Sequence, residues 1–214
     1  MWGGGCADVG LFGRAGKGEP YDWLVVGLGN PGEKYARTRH NVGEEAVRLL
    51  AERCDVTLKG GRHNALVAEA KYGDPIDPVR VVLAFPITFM NESGQAVSSL
   101  VRRYRIESPE QIIVVQDELD LPPGDLKIKA GGGLAGHNGL RSINRHLSSP
   151  DFLRVRIGVG KPDHKDLGKG HVLSRIPRRE RELLDVTVVE AADAVETIIE
   201  HGVETAMQRF NGKR

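Results

Sequence analysis

No apolar run in this chain approaches the ~20 residues that a membrane-spanning helix requires, so a helical membrane protein is excluded. Cysteine is scarce: Cys6 and Cys54 are too few and too isolated for a disulfide framework or a cysteine metal site, and a reducing cytoplasm is the expected compartment. No Gly-x-Ser-x-Gly elbow occurs and no cysteine adjoins a motif, which argues against an acyl-enzyme. The first residues lack the continuous apolar stretch of a secretory signal. There is also no internal repeat and no interior linker. Net charge is nearly absent, at +1, yet unevenly spread. Between Leu121 and Arg181 there are 13 Lys and Arg against 5 Asp and Glu, and the rest of the chain carries 17 against 24. A basic region between acidic flanks suits a polyanion docking on one side, although a solvated charged face produces the same asymmetry.

What is present describes one globular domain. The 214 residues, 40% hydrophobic and 28% charged, suffice for a substantial core. Residues 1–21 are rich in glycine and aperiodic, and are expected to be a disordered extension or an early start; 22–214 form the domain. Trp23–Leu28 reads as a buried strand and Asn41–Cys54 as an amphipathic helix. Asn64–Tyr72 and Val79–Phe85 make a hairpin across a Gly-Asp-Pro turn. A helix follows over Ser93–Tyr104, then a central β-branched strand, Gln111–Gln116, and an alternating strand near an edge, Asp125–Lys129. His137–Leu147 reads as a helix and Leu153–Val159 as a strand. After the Lys161-to-Gly170 loop, Pro177–His201 is a long helix whose stripe is Leu184, Val188, Ala191, Val195 and Ile198, with Pro177 suited to its first turn. A short helix, Val203–Phe210, closes the chain. The alternation predicts an α/β fold: a single domain with a mixed, twisted β-sheet flanked by helices.

Short polar side chains gather where strands end or helices begin. They lie in Gly27-Leu-Gly-Asn-Pro-Gly32, Thr38-Arg-His-Asn-Val-Gly43, Thr88-Phe-Met-Asn91, Gln116-Asp-Glu-Leu-Asp-Leu-Pro-Pro-Gly124 and Gly131-Gly-Gly-Leu-Ala-Gly-His-Asn-Gly139. Such positions converge on the open edge of an α/β sheet. The first segment matches the dinucleotide fingerprint Gly-x-Gly-x-x-Gly, but Pro31 falls inside it and a polar stretch separates it from the first helix. A nucleotide cofactor needs that glycine turn to open directly into a helix, so this reading is set aside.

In this order and at these spacings the segments resemble the bacterial-type peptidyl-tRNA hydrolase family, from about Trp23 to Asn211. The resemblance implies an enzyme, working without metal or organic cofactor, that hydrolyses the ester joining peptide to tRNA and so recycles prematurely released peptidyl-tRNA. It also implies a cytoplasmic monomer whose partner is peptidyl-tRNA, gripped at its acceptor stem and 3′ end, and no membrane. His40 matches the catalytic histidine and Asp117 the aspartate that orients it. Asn30, Asn91 and Asn138 match asparagines that hold the peptide, the ester and the tRNA 3′ end, with Tyr35 and Met90 lining the site. Lys129 and Arg156 match basic positions at the tRNA 5′-phosphate, with Lys127 beside them. The chain departs from the family at Gln116, where many members have histidine, and at Ile87, where threonine is common.

The chemistry suits these residue types. An ester has a better leaving group than an amide, so activated water suffices. Histidine, with an ordinary pKa of about 6.5, is the natural general base at neutral pH. An aspartate on its second nitrogen fixes the tautomer and stabilises the imidazolium. Asparagines supply neutral donors to a developing oxyanion, each worth about 2.7–4 kcal/mol in the transition state; Asn30 is the candidate nearest the carbonyl. Plainer roles compete at each position. His40, Asn41, Asn91 or Asn138 can simply cap helices, Asp117 can make a structural hydrogen bond, and Met90 can be core. His137 is the weaker candidate for a second base beside Asn138. Lys127 and Lys129 share a strand face, as do Arg154 and Arg156, and the four would grip a phosphate if the strands are close; a solvated sheet edge is the alternative. An RNA-binding protein that keeps the scaffold without hydrolysing is the competing function.

Overall fold

In the computed structural model the described residues are 19–162 and 168–212. The expected extension up to residue 18 and part of the Lys161-to-Gly170 loop lie outside them. The β-branched run Ile112–Val115 builds the heart of β5 (Ile112–Glu118), which lies between β1 (Trp23–Gly27) and β7 (Leu153–Gly158), parallel to both. On its other side β1 pairs in parallel with β4 (Pro78–Pro86). Antiparallel strands complete the seven-stranded sheet: β3 (Ala65–Gly73) and the two-residue β2 (Lys59–Gly60) beyond β4, and β6 (Leu126–Ala130) beyond β7. The alternating strand is therefore an edge strand, as its pattern predicts.

Strand periodicity divides the core in two. Val25, Ile113 and Val155 face α1 (Val42–Arg53), α5 (Arg178–His201) and α6 (Val203–Asn211). Leu24, Val26 and Val114 face α2 (Ser93–Tyr104) and α3 (Asn138–Leu147). The stripe expected on α5 is wholly buried, and Pro177 stands at its N-cap rather than in its first turn. The short helix α4 (Gly168–Leu173) was not legible in the sequence, which reads there as loop. At the open side of β6, Asn211 of α6 accepts from the Ile128 N–H (2.7 Å) and donates to its C=O (2.9 Å).

Because β4 and β5 flank β1, the C-terminal end of β1 is the point at which the chain order reverses across the sheet, where ligands bind in such folds. A pair of glycines brings α1 down onto that end. A Cβ on Gly27 would lie 2.2 Å from the Gly43 carbonyl oxygen, and one on Gly43 would lie 2.2 Å from that of Val115. Bare backbone at both positions lets the first turn of α1 rest on β1 and β5. Gly27 thus serves helix packing, not phosphate: Gly32 leads into 3₁₀ turns at Glu33–Tyr35 and Arg39–Asn41, and α1 begins only at Val42.

Candidate active site

The turn Arg39–Asn41, seated on the glycine contact, carries His40 over the end of β5. Its Nδ1 lies 2.8 Å from Oδ1 of Asp117, the penultimate residue of that strand. The same oxygen is 3.0 Å from Nε2 of His137. His137 is the N-cap of α3, and its Nδ1 accepts from the Gly139 N–H (3.1 Å) and more distantly from that of Leu140 (3.4 Å). Two backbone donors at Nδ1 require the His137 proton on Nε2, directed at Asp117. Asp117 therefore receives N–H donors from both rings, and Nε2 of His40 is left with a lone pair toward the cleft.

Burial by itself would raise the Asp117 pKa, but the positive charge that His40 and His137 carry when protonated, together with their N–H hydrogen bonds, outweighs it and holds the carboxyl well below the usual carboxylate range. The residue stays ionised while almost fully buried, which is the condition for orienting an imidazole and stabilising its protonated form.

A cleft of about 650 Å³ opens beside these groups. Asn30, Tyr35, His40, Met90, Asn91, Asp117, His137 and Asn138 line it, together with Val172 and Leu173. Asn30 is held on all sides. Its N–H donates to Asn41 Oδ1 (3.0 Å), its C=O accepts from Asn41 Nδ2 (2.9 Å), and its own Oδ1 accepts from the Met90 N–H (2.9 Å). That last bond fixes the side-chain amide so that Nδ2 is the group available to a ligand. Met90 belongs to the turn Met90–Glu92, and its placement there carries Asn91 to the rim.

A sequence model of the family described as peptidyl-tRNA hydrolase matches residues 24–214. The chain belongs to the peptidyl-tRNA hydrolase family. It is 49% identical over 191 residues to the peptidyl-tRNA hydrolase of Leifsonia xyli, an alignment spanning 88% of this chain and 96% of that one. The relative from Chloroflexus aurantiacus is 46% identical over 190 residues, spanning 88% and 98%. The crystal structure of peptidyl-tRNA hydrolase from Acinetobacter baumannii superposes with a TM-score of 0.81 at 39% identity, covering 92% of this chain and 99% of that one.

Within this family member the helix-capping alternatives fall away by position. His40, Asn91 and Asn138 cap nothing: the N-caps of α1, α2 and α3 are Asn41, Glu92 and His137. Asn41 makes no side-chain cap bond and instead brackets the backbone of Asn30. The sequence reads Asn41 only as a possible helix cap and His137 only as a weaker second base, whereas the structure puts both in the site. Both stand in the motifs quoted above, but their partners lie 11 and 20 residues away, so the motifs do not reveal these bonds.

The cationic strands are adjacent, as a shared phosphate grip requires. Lys127 is opposite Arg156 and Lys129 opposite Arg154 across β6 and β7, so all four leave the same sheet face. The two arginines are nevertheless committed differently. Arg154 is buried, donating from Nη1 to the Gly133 carbonyl (2.7 Å) and from Nη2 to that of Gly131, so it holds the glycine loop and is not a free cation. Arg156 donates from Nε to Glu118 (2.9 Å) and keeps partial exposure. Lys127 and Lys129 are exposed.

His40, Asp117 and His137 also form a group of the kind that holds a metal, their ligand atoms all within 4.8 Å. The protons argue against that use. An ion would need a lone pair on His137 Nε2, and the backbone donors at Nδ1 place the proton there instead. Among the described residues no helix is long and apolar enough to cross a membrane.

Proposed function

We propose that this chain hydrolyses the ester between peptide and tRNA, with water as nucleophile and His40 as general base. The supporting observation is the contact of His40 Nδ1 with buried Asp117, which leaves Nε2 unoccupied at the cleft. His40 Nε2 takes a proton as the water oxygen bonds to the ester carbonyl carbon. The resulting oxyanion is met by a neutral donor, for which Asn30 Nδ2 is pre-set by the Met90 bond. Collapse breaks the bond to the ribose oxygen, and the imidazolium returns its proton to that leaving group. The carboxylic acid and free tRNA are the products, which returns tRNA to use. Asn91 and Asn138 on the rim, with Tyr35 and Met90, take the ester and the tRNA 3′ end.

The decisive assay is incubation with N-acylated aminoacyl-tRNA: deacylation is expected, and binding without turnover would favour an RNA-binding role. Dialysis against excess EDTA is expected to leave kcat unchanged. Loss of activity restored by Zn²⁺ would make the histidine–aspartate cluster a metal site after all.

Lys127, Lys129 and Arg156 are assigned to the tRNA phosphate. Replacing Lys129 or Arg156 by alanine should weaken tRNA binding and reduce the slope of log K against log salt by about 0.7–0.9 per lost phosphate contact. Arg156 shares its charge with Glu118 and should show the smaller change. Slopes equal to wild type would remove the phosphate grip.

A further inference from the structure

We infer that Arg39 is a positioning residue that holds one wall of the cleft, the helix α4, in place beside the catalytic turn. The residue next to the proposed base is a buried arginine, 4% exposed, and each of its three guanidinium nitrogens is hydrogen-bonded. Nε and Nη2 each lie 2.6 Å from one oxygen of Glu180 in the first turn of α5. Nη1 donates to the His171 carbonyl (3.1 Å) and to Ser174 Oγ (2.9 Å), at the two ends of the stretch that contains Val172 and Leu173. Those two residues line the cleft.

The arrangement has a direction. His40 is placed by Asp117, and its turn is tied through Asn41 to the backbone of Asn30. The start of α5 is anchored separately, by Arg181 donating to both oxygens of Glu45 on α1 (2.6 and 3.1 Å). Arg39 therefore spans two fixed bodies, and it adds two bonds to the α4 stretch, whose other ties include the His171 Nε2 contact to the Val159 carbonyl (3.3 Å) and the Thr38–Arg175 bridge. A helix of six residues is far too short to hold itself together, so its position depends on such ties. A planar fork meets a carboxylate with two bonds and still has a third nitrogen for the wall, which a lysine ammonium cannot do. The buried charge is tolerated because it is paired, and the pair in turn orients the nitrogen that grips α4.

The inference rests on the reading of His40 as base but fails separately from it. In Glu180→Gln the fork loses its charged partner while His40, Asp117 and the asparagines are untouched. KM for N-acylated aminoacyl-tRNA is expected to rise roughly ten-fold, an ordinary size for one element biasing the affinity of another. The kcat and its pH profile are expected to stay at the wild-type values. Backbone amides of residues 168–175 should exchange faster with solvent deuterium, while those of β5 and α1 keep their protection. Arg39→Lys should move KM and exchange in the same direction. Unchanged KM and exchange in folded Glu180→Gln would overturn the inference. So would a fall in kcat at constant KM, which would place the action of Arg39 on the base.

Discussion

Replacing His40 by alanine is expected to lower kcat for deacylation of N-acylated aminoacyl-tRNA by about 10²–10⁴, the contribution of a positioned general base, with KM close to wild type. Among the described residues that line the cleft, the other carboxylate, Glu118, is buried and already accepts from Arg156 Nε and the Asp120 N–H. His137, the other imidazole, has its Nδ1 filled by backbone donors of α3 and directs Nε2 at Asp117, so its lone pair is not offered to water. The asparagines cannot accept a proton near neutrality. Residual turnover should come from oxyanion stabilisation and substrate positioning. An alanine variant that kept full activity would remove the base from His40 and with it the mechanism proposed above.

The second large effect is expected at Asp117, where asparagine should cut kcat toward the upper end of that range. Loss of a carboxylate that orients a histidine can cost about 10⁴, and here one oxygen organises two rings. An amide in its place can present an N–H to His40 Nδ1, which would turn the tautomer and put the proton on Nε2, where the lone pair is needed. Affinity for tRNA should change little; weakened binding with intact turnover would instead assign Asp117 to the substrate. The same substitution has a signature in stability. The folded-state pKa of Asp117 is depressed, so its ionised form stabilises the fold at pH values above the unfolded carboxylate range near ~3.9. That contribution is lost as pH falls through the lower folded value. Asp117→Asn should therefore flatten the acid side of the stability curve, measured by urea unfolding at successive pH values.

Six of the seven strands were legible because burial imposes a period on the chain, while the two-residue β2 carries none. The β-branched run of β5, the stripe of α5 and the alternation of β6 each have a local cause, and each is found where it was read. His40 and Asp117, 77 residues apart, are brought together as the resemblance implies. What was not legible is cross-chain bonding between side chains whose type says little. Arg154 and Arg156 look identical in an alternating strand, but only the first lies under the glycine loop and donates to its carbonyls. Arg39 reads as one more surface cation until a carboxylate 141 residues later is set beside it. His137 was discounted because its neighbour fitted a motif better, whereas its value comes from standing at a helix start within reach of Asp117.

The bond pair between Asn211 and Ile128 has a consequence for how this protein coexists with other chains. An outermost strand is a template onto which another polypeptide can zip, and long unprotected ones seed aggregation. Here a single carboxamide imitates the missing neighbour's peptide group midway along β6, while outward lysines on either side repel an incoming strand. At the far margin the two-residue β2 covers only Leu66 and Val67 of β3. The β6 border is thereby finished by a side chain, and among the described residues the sheet holds seven strands without closing into a barrel.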